Sequence, residues 1–398
     1  MPQTTAPAAP APNGVSGIRY GRGLRQLFRL EEATTFLNHG SFGLTPVAVL
    51  AAQEAFRGEM ERQPVQFLNR GALQPRLRAA AGQLAAFLGA AAEDLAFVDN
   101  ATTGVNAVVR SFALKPGDEV LVTDHTYPAV RNAVRFVCAP AGARIVEAKL
   151  PFPPEGPDGI VAAVKNALTE RTRLAVFDLV SSGSAIVMPV TEMARACRDA
   201  GARVLVDGAH GPGMLDLDLP ALQADWVTGN AHKWLFAPRG CALLWATKEA
   251  QRNLHPTVIS HGFEQGFVNE FDWTGTRDPT AWLAVPAALD FYRSMGDSAL
   301  RARNHALAVA AGKLLAQRWG TETGAPATMT GAMVIVRLPG GLPGTPAGAQ
   351  AVHDRLWQKY HIEVPIMTLN ETLWVRISAQ IYNDLDDYER LATALAKA

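Results

Sequence analysis

Two short segments hold side chains suited to covalent work on a carbonyl compound. The run VLVDGAHGPG (204–213) ends its apolar stretch on Asp207, and VTGNAHKWLFAPRG (227–240) carries Lys233 between His232 and Trp234. A lysine held out of bulk water near a cationic ring has its charged form disfavoured, which leaves a nucleophilic amine. A carboxylate at the end of a buried strand can keep a ring nitrogen protonated. An amine for an aldehyde and an anion for a pyridine nitrogen are what pyridoxal phosphate (PLP) needs: the amine forms a Schiff base and the protonated ring is the electron sink. Taken alone, Asp207 reads more simply as a helix cap and Lys233 as a surface residue.

These side chains need strand ends to hold them. From about residue 95 short apolar runs alternate with helical patterns: LAFVDN (95–100), EVLVTD (119–124), RLAVFDLV (173–180), ARVLVDGAH (202–210), DWVTGN (225–230) and GCALLWA (240–246). Helical stretches run from 124 to Val137 and over 190–200. Runs rich in Val and Leu suit a sheet buried on both faces, and their alternation with helices predicts mainly parallel pairing. In such sheets ligands bind beyond the carboxyl ends of the strands. After about Thr280 the pattern changes: helices over 281–294 and 298–318, a strand AMVIVRL (332–338), a helix over 346–359, short strands, and a last helix from about Asp384. The Gly/Pro-rich LPGGLPGTPAG (338–348) reads as a loop. The expected fold is α/β: a three-layer α/β/α large domain over 18–280 and a smaller α+β domain over 281–398, preceded by a Pro/Ala-rich disordered arm over 1–17.

The 398 residues suffice for two domains, and 37 basic against 37 acidic side chains leave no net charge. That balance, without a long basic run, gives no footprint for nucleic acid. No run of about 18 apolar residues predicts a membrane span. Cys138, Cys197 and Cys241 stand at no metal spacing, so no metal site is expected. Sparse cysteine usage suits a reducing, cytoplasmic setting.

Further motifs sharpen the chemistry. VDGAH is followed 233 − 207 = 26 residues later by AHKW, and LNHGSFG (37–43), DNATTGVNAVVR (99–110), WTGTRDP (273–279) and RISAQIYN (376–383) stand in order around them. Together they resemble the fold type I, class V aminotransferase family, in its isopenicillin N epimerase-like branch, from about Phe36 to Tyr388. The resemblance implies bound pyridoxal phosphate, an amino-acid substrate and a homodimer with shared active sites. It places Thr102 and Thr103 at the cofactor phosphate, where a helix N-terminus favours an anion. Tyr127, in DHTYPAV, takes the place of the ring that stacks on the cofactor, where many relatives carry His. His210 resembles the residue that reaches the phenolic oxygen, often Gln in relatives, and His232 helps with the phosphate or orients the lysine. Ser182 falls where many relatives have Asn near the ring. Thr276 resembles the phosphate contact that comes from a neighbouring subunit. Arg376 resembles the arginine that grips the substrate carboxylate through a planar fork, and Asn38 and His39 belong to a segment that folds over the site.

The branch implies chemistry at the α-carbon, with Lys233 as the base once substrate displaces it. Epimerisation is the first expectation, with Tyr127, His210 or Tyr382 returning the proton. β-Elimination by a C–S lyase is the alternative, and transamination the third. A cysteine desulfurase of the usual kind needs a thiol in the C-terminal half, and Cys241, only 241 − 233 = 8 positions past the lysine, is the last cysteine. A non-catalytic binding protein on this fold could dispense with Asp207 or Lys233, and both are kept.

Overall fold

A computed structural model describes residues 17–340 and 343–396. The arm expected over 1–17 falls, apart from Gly17, outside the described residues. The strands are β1 (Thr35–Phe36), β2 (Leu95–Val98), β3 (Glu119–Thr123), β4 (Arg144–Ala148), β5 (Thr172–Asp178), β6 (Arg203–Asp207), β7 (Trp226–Asn230), β8 (Ala242–Ala246), β9 (Met333–Arg337), β10 (Ile362–Glu363), β11 (Ile366–Leu369) and β12 (Thr372–Ser378). Seven form one sheet in the order β2-β8-β7-β6-β5-β3-β4, in which β8 alone runs antiparallel to its neighbours.

Side chains along these strands alternate between two cores. In β5, Ala175 and Phe177 join one apolar cluster while Leu174 and Val176 join the other; in β6, Val204 and Val206 face the first and Leu205 the second. Burial on both faces is why the strands read as continuous apolar runs rather than as alternating ones. The helix Ala101–Ser111 covers one face, with Val105, Val108 and Val109 in the second cluster, and Arg70–Phe87 covers the other through Leu73, Leu77 and Leu84.

The C-terminal part is α+β. β9, β12 and β11 form an antiparallel sheet backed by the helices Ser298–Trp319, Pro346–Tyr360 and Leu385–Ala396. The segment before the large sheet reaches over to this part: β1 pairs in parallel with β10, and Leu37 O accepts the N–H of Ser378. The helix expected over 281–294 is two, Thr280–Leu283 and Val285–Ser294, with Pro286 at the start of the second, where its missing N–H costs nothing. Strand β4 went unread because its side chains are half-exposed at the sheet edge. Among the described residues no helix is long and apolar enough to cross a membrane.

Candidate active site

The carboxyl ends of β2, β5, β6 and β7 open on a cavity of about 360 Å³. It is bordered by Asn100, Thr102, Tyr127, Asp178, Ser182, Asp207, His210, Asn230, His232, Lys233 and Arg239, together with Ser41 and Phe42 from the N-terminal segment. Each strand-end turn fixes one group. After β2, Asn100 caps the helix Ala101–Ser111 by accepting Thr103 N–H at 2.9 Å, and Asn230 Oδ1 accepts Ala101 N–H at 2.8 Å. The first turn of that helix thus lies on β7 with Thr102 facing the cavity. Gly104 permits the approach: a β-carbon there would stand 2.2 Å from Thr228 Oγ1.

Lys233 sits in the short helical turn Ala231–Trp234 that follows β7. Its turn is tied on several sides. His232 donates both its backbone N–H and its Nδ1–H to the carbonyl of Cys241, at 3.1 and 2.9 Å. His39 Nε2 meets the Lys233 carbonyl at 2.9 Å, and Tyr382 O–H meets His39 Nδ1 at 2.8 Å. Close behind, the buried Phe236 adopts φ 63, a left-handed conformation that bulky residues rarely take. Strain of this kind persists only where surrounding packing imposes it, here Phe28, His39, Phe291 and Tyr292.

The amine itself lies 3.2 Å from His210 Nε2. The indole N–H of Trp234, which can only donate, meets His210 Nδ1 at 3.2 Å. Nδ1 is therefore the acceptor and Nε2 carries the hydrogen, placed to meet the amine in its free form. Electrostatics bring that form within reach of neutral pH. Burial and then the Arg376 cation lower Lys233 to about 8, against a smaller upward pull from Asp207. Burial also holds His210 well below its usual range, His232 at about 4 and His39 at about 3, so all three are neutral near pH 7. An aldehyde condenses only with free amine. The rate at which cofactor-free protein takes up pyridoxal phosphate is expected to rise with pH through a midpoint near pH 8 and level off above it, as followed by stopped-flow absorbance; a midpoint near pH 10 marks an unperturbed lysine.

Asp207 is buried at the end of β6, accepting Ala209 N–H at 3.0 Å. Arg376, on β12, is also buried, and among the described residues its guanidinium reaches only neutral partners: Ser182 O at 2.5 Å, Ser182 Oγ at 3.2 Å, Ser41 Oγ at 3.0 Å and Asn38 Oδ1 at 3.4 Å. Its Nε makes no hydrogen bond. Burial lowers it to about 10, which still leaves a cation at neutral pH. A buried cation without a counter-ion is costly unless an anion arrives to pair with it.

The expected residues thus divide. Thr102, Tyr127, Ser182, Asp207, His210, His232 and Lys233 border the cavity. Arg376 and Asn38 stand behind Ser182 and Ser41. His39, expected to fold over the site, lies beneath the lysine turn instead, holding the Lys233 carbonyl. Thr103 spends its N–H and hydroxyl on Asn100 and does not border the cavity. Thr276 is exposed and outside its own chain's cavity. Tyr382 points to His39 and is sealed off. The sequence reading passed over Asp178, Asn230 and Arg239; Asp178 had a signal, since VFD ends its run as VLVD does six residues into the next one.

An amine and a carboxylate converging at the carboxyl ends of a mainly parallel sheet, with a helix N-terminus beside them, fit a phosphorylated pyridine aldehyde and define a pyridoxal-phosphate enzyme of fold type I. Known proteins agree. The aminotransferase class-V family model matches residues 43–391, and the chain belongs to that family. It is 36% identical over 404 residues to the putative L-cysteine desulfhydrase 1 of Oryza sativa subsp. japonica, covering 92% of this chain and 83% of the relative. It is likewise 36% identical over 391 residues to the isopenicillin N epimerase of Amycolatopsis lactamdurans, covering 93% and 96%. A solved C-DES mutant with glycine covalently linked to its PLP cofactor superposes with a TM-score of 0.80 over 94% of this chain and 98% of that one, at 22% identity.

Proposed function

We propose that the protein removes the α-proton of a small amino acid and then expels a sulfur substituent from its β-carbon, acting as a C–S lyase. When bound, pyridoxal phosphate supplies the electron sink that makes the α-hydrogen acidic. The chain's own groups do the rest. Lys233 Nζ holds the cofactor and, once released by substrate, takes the α-proton. Asp207 would keep the ring nitrogen protonated, His210 would offer its Nε2–H to the phenolic oxygen, and Tyr127 would cover the ring. Thr102 and the helix N-terminus would hold the phosphate, while His232, bonded to Cys241 O, orients the lysine turn. In a homodimer Thr276 reaches the partner's phosphate, a reading supported by its exposure outside its own chain's cavity. Three buried free thiols suit a cytoplasmic setting.

The observation that carries the reading is the buried Arg376, without an acidic partner among the described residues, behind a cavity that holds a lysine lowered to about 8. Elimination needs one base at the α-carbon, and Lys233 supplies it. Epimerisation is the second reading, favoured by the epimerase relative. It needs an acid on the opposite face, for which Tyr127 is the phenol bordering the cavity, Tyr382 being committed to His39. Incubation with cysteine, cystine and S-conjugates in deuterated water separates the two. Pyruvate with a released sulfur product is expected. Recovery of racemised substrate carrying α-deuterium, without pyruvate, selects epimerisation.

Arg376→Lys is expected to raise KM about thirtyfold, the loss of about 2 kcal/mol from a forked, charge-assisted contact. Steady-state kinetics check it, and a substrate analogue lacking the carboxylate is expected to bind wild type and variant alike.

A further inference from the structure

The strand ending on Asp207 has a neighbour that ends the same way. Asp178 closes β5 as Asp207 closes β6, and the two are register partners. Alternation puts Asp178 on the side of Leu174 and Val176, and Asp207 on the side of Leu205, which is the same face of the sheet. Both are almost fully buried, and both border the cavity. The backbone N–H groups of Tyr127 and of Asp178 itself lie close enough to draw the Asp178 carboxyl down, yet its Oδ2 has no hydrogen-bond partner. Of the charged groups that face the pair, Lys233 in the turn after β7 acts on Asp207, and Arg131 from the helix Pro128–Ala141 acts on Asp178.

Two buried carboxyls side by side resist ionising together, so one keeps a proton. Burial and then the Asp207 charge push Asp178 well above the usual carboxylate range. Burial raises Asp207 too, but the Ala209 N–H and the Lys233 cation pull it back.

We propose that Asp178 and Asp207 act as a carboxyl pair sharing one proton, in which Asp178 is a positioning residue that keeps the proton and fixes the Tyr127 turn, leaving Asp207 as the anion opposite a cationic ring nitrogen. Asp178 also lies beside the backbone N–H of Tyr127, the cap residue of the helix Pro128–Ala141, so one side chain links the acid under the ring to the aromatic cover above it. The pair rests on the cofactor site and is indifferent to the choice between elimination and epimerisation.

Difference infrared spectra at neutral pH, wild type against Asp178→Asn, test it with and without bound pyridoxal phosphate. A protonated-carboxyl band is expected in the wild type, shifting in deuterated water and absent from the variant. Asp178→Ala is expected to weaken cofactor binding about tenfold, because Tyr127 N–H loses the carboxyl beside it and Asp207 loses its partner. Asparagine at the same position restores most of that loss, since its amide oxygen still accepts and its N–H can donate to Asp207. A wild type without the band in cofactor-free and bound protein overturns the pair, as does an asparagine variant that binds as weakly as the alanine one. The band in cofactor-free wild type needs neither a folded variant nor turnover, so the result stands whichever reaction the protein performs.

Discussion

Lys233→Ala is expected to lower turnover about 10⁴-fold, because it removes at once the covalent anchor and the base at the α-carbon. The fold is expected to survive. The turn is held through backbone groups, by His39 on the Lys233 carbonyl and by Cys241 O on His232, and none of these bonds involves the amine. Losing the side chain also removes a buried cation, and the amine's partner His210 keeps its bond from Trp234. Added small amines are expected to restore part of the rate, which a merely misfolded variant would not show. Unchanged turnover in the alanine variant would exclude Lys233 from the chemistry. The readout is product formation per bound cofactor, with circular dichroism confirming that the variant is folded.

Asp207→Asn carries the second large effect. An amide keeps the oxygen that accepts Ala209 N–H, so the strand end is preserved. It cannot stay anionic, and a protonated ring nitrogen would then be a buried cation without its counter-ion. Breaking such a pair costs about 3 kcal/mol, on the order of a hundredfold in rate. Turnover is expected to fall by that much while cofactor uptake through Lys233 persists, with the bound cofactor's absorbance changing because its ring has lost the proton. A variant with an unchanged spectrum and rate would mean that another group holds the ring nitrogen, Asp178 being the first to examine.

The strand ends were legible because burial on both faces writes itself as runs of Val, Leu and Ala. LAFV, EVLVT, AVFD and VLVD all became strands of one sheet. Strand β4 was not legible, since an edge strand with exposed Arg144 and Glu147 carries no such run. Lys233, Asp207, Thr102 and Tyr127 were readable because each ends a strand or stands within four residues of one in the sequence. The place of His39 was not. Its contact with the Lys233 carbonyl joins residues 194 positions apart, and sequence order says nothing about which side of a turn a distant segment covers. Arg376 could be matched by motif, but its lack of any acidic partner is a property of packing alone.

The account turns on a single covalent bond. Treating the protein with borohydride in the presence of pyridoxal phosphate, then mapping the digested peptides by mass spectrometry, reads that bond directly. The prediction is one phosphopyridoxyl group per chain, on the peptide containing Lys233. A tag on a different lysine, or protein that takes up no cofactor and carries no tag, contradicts it.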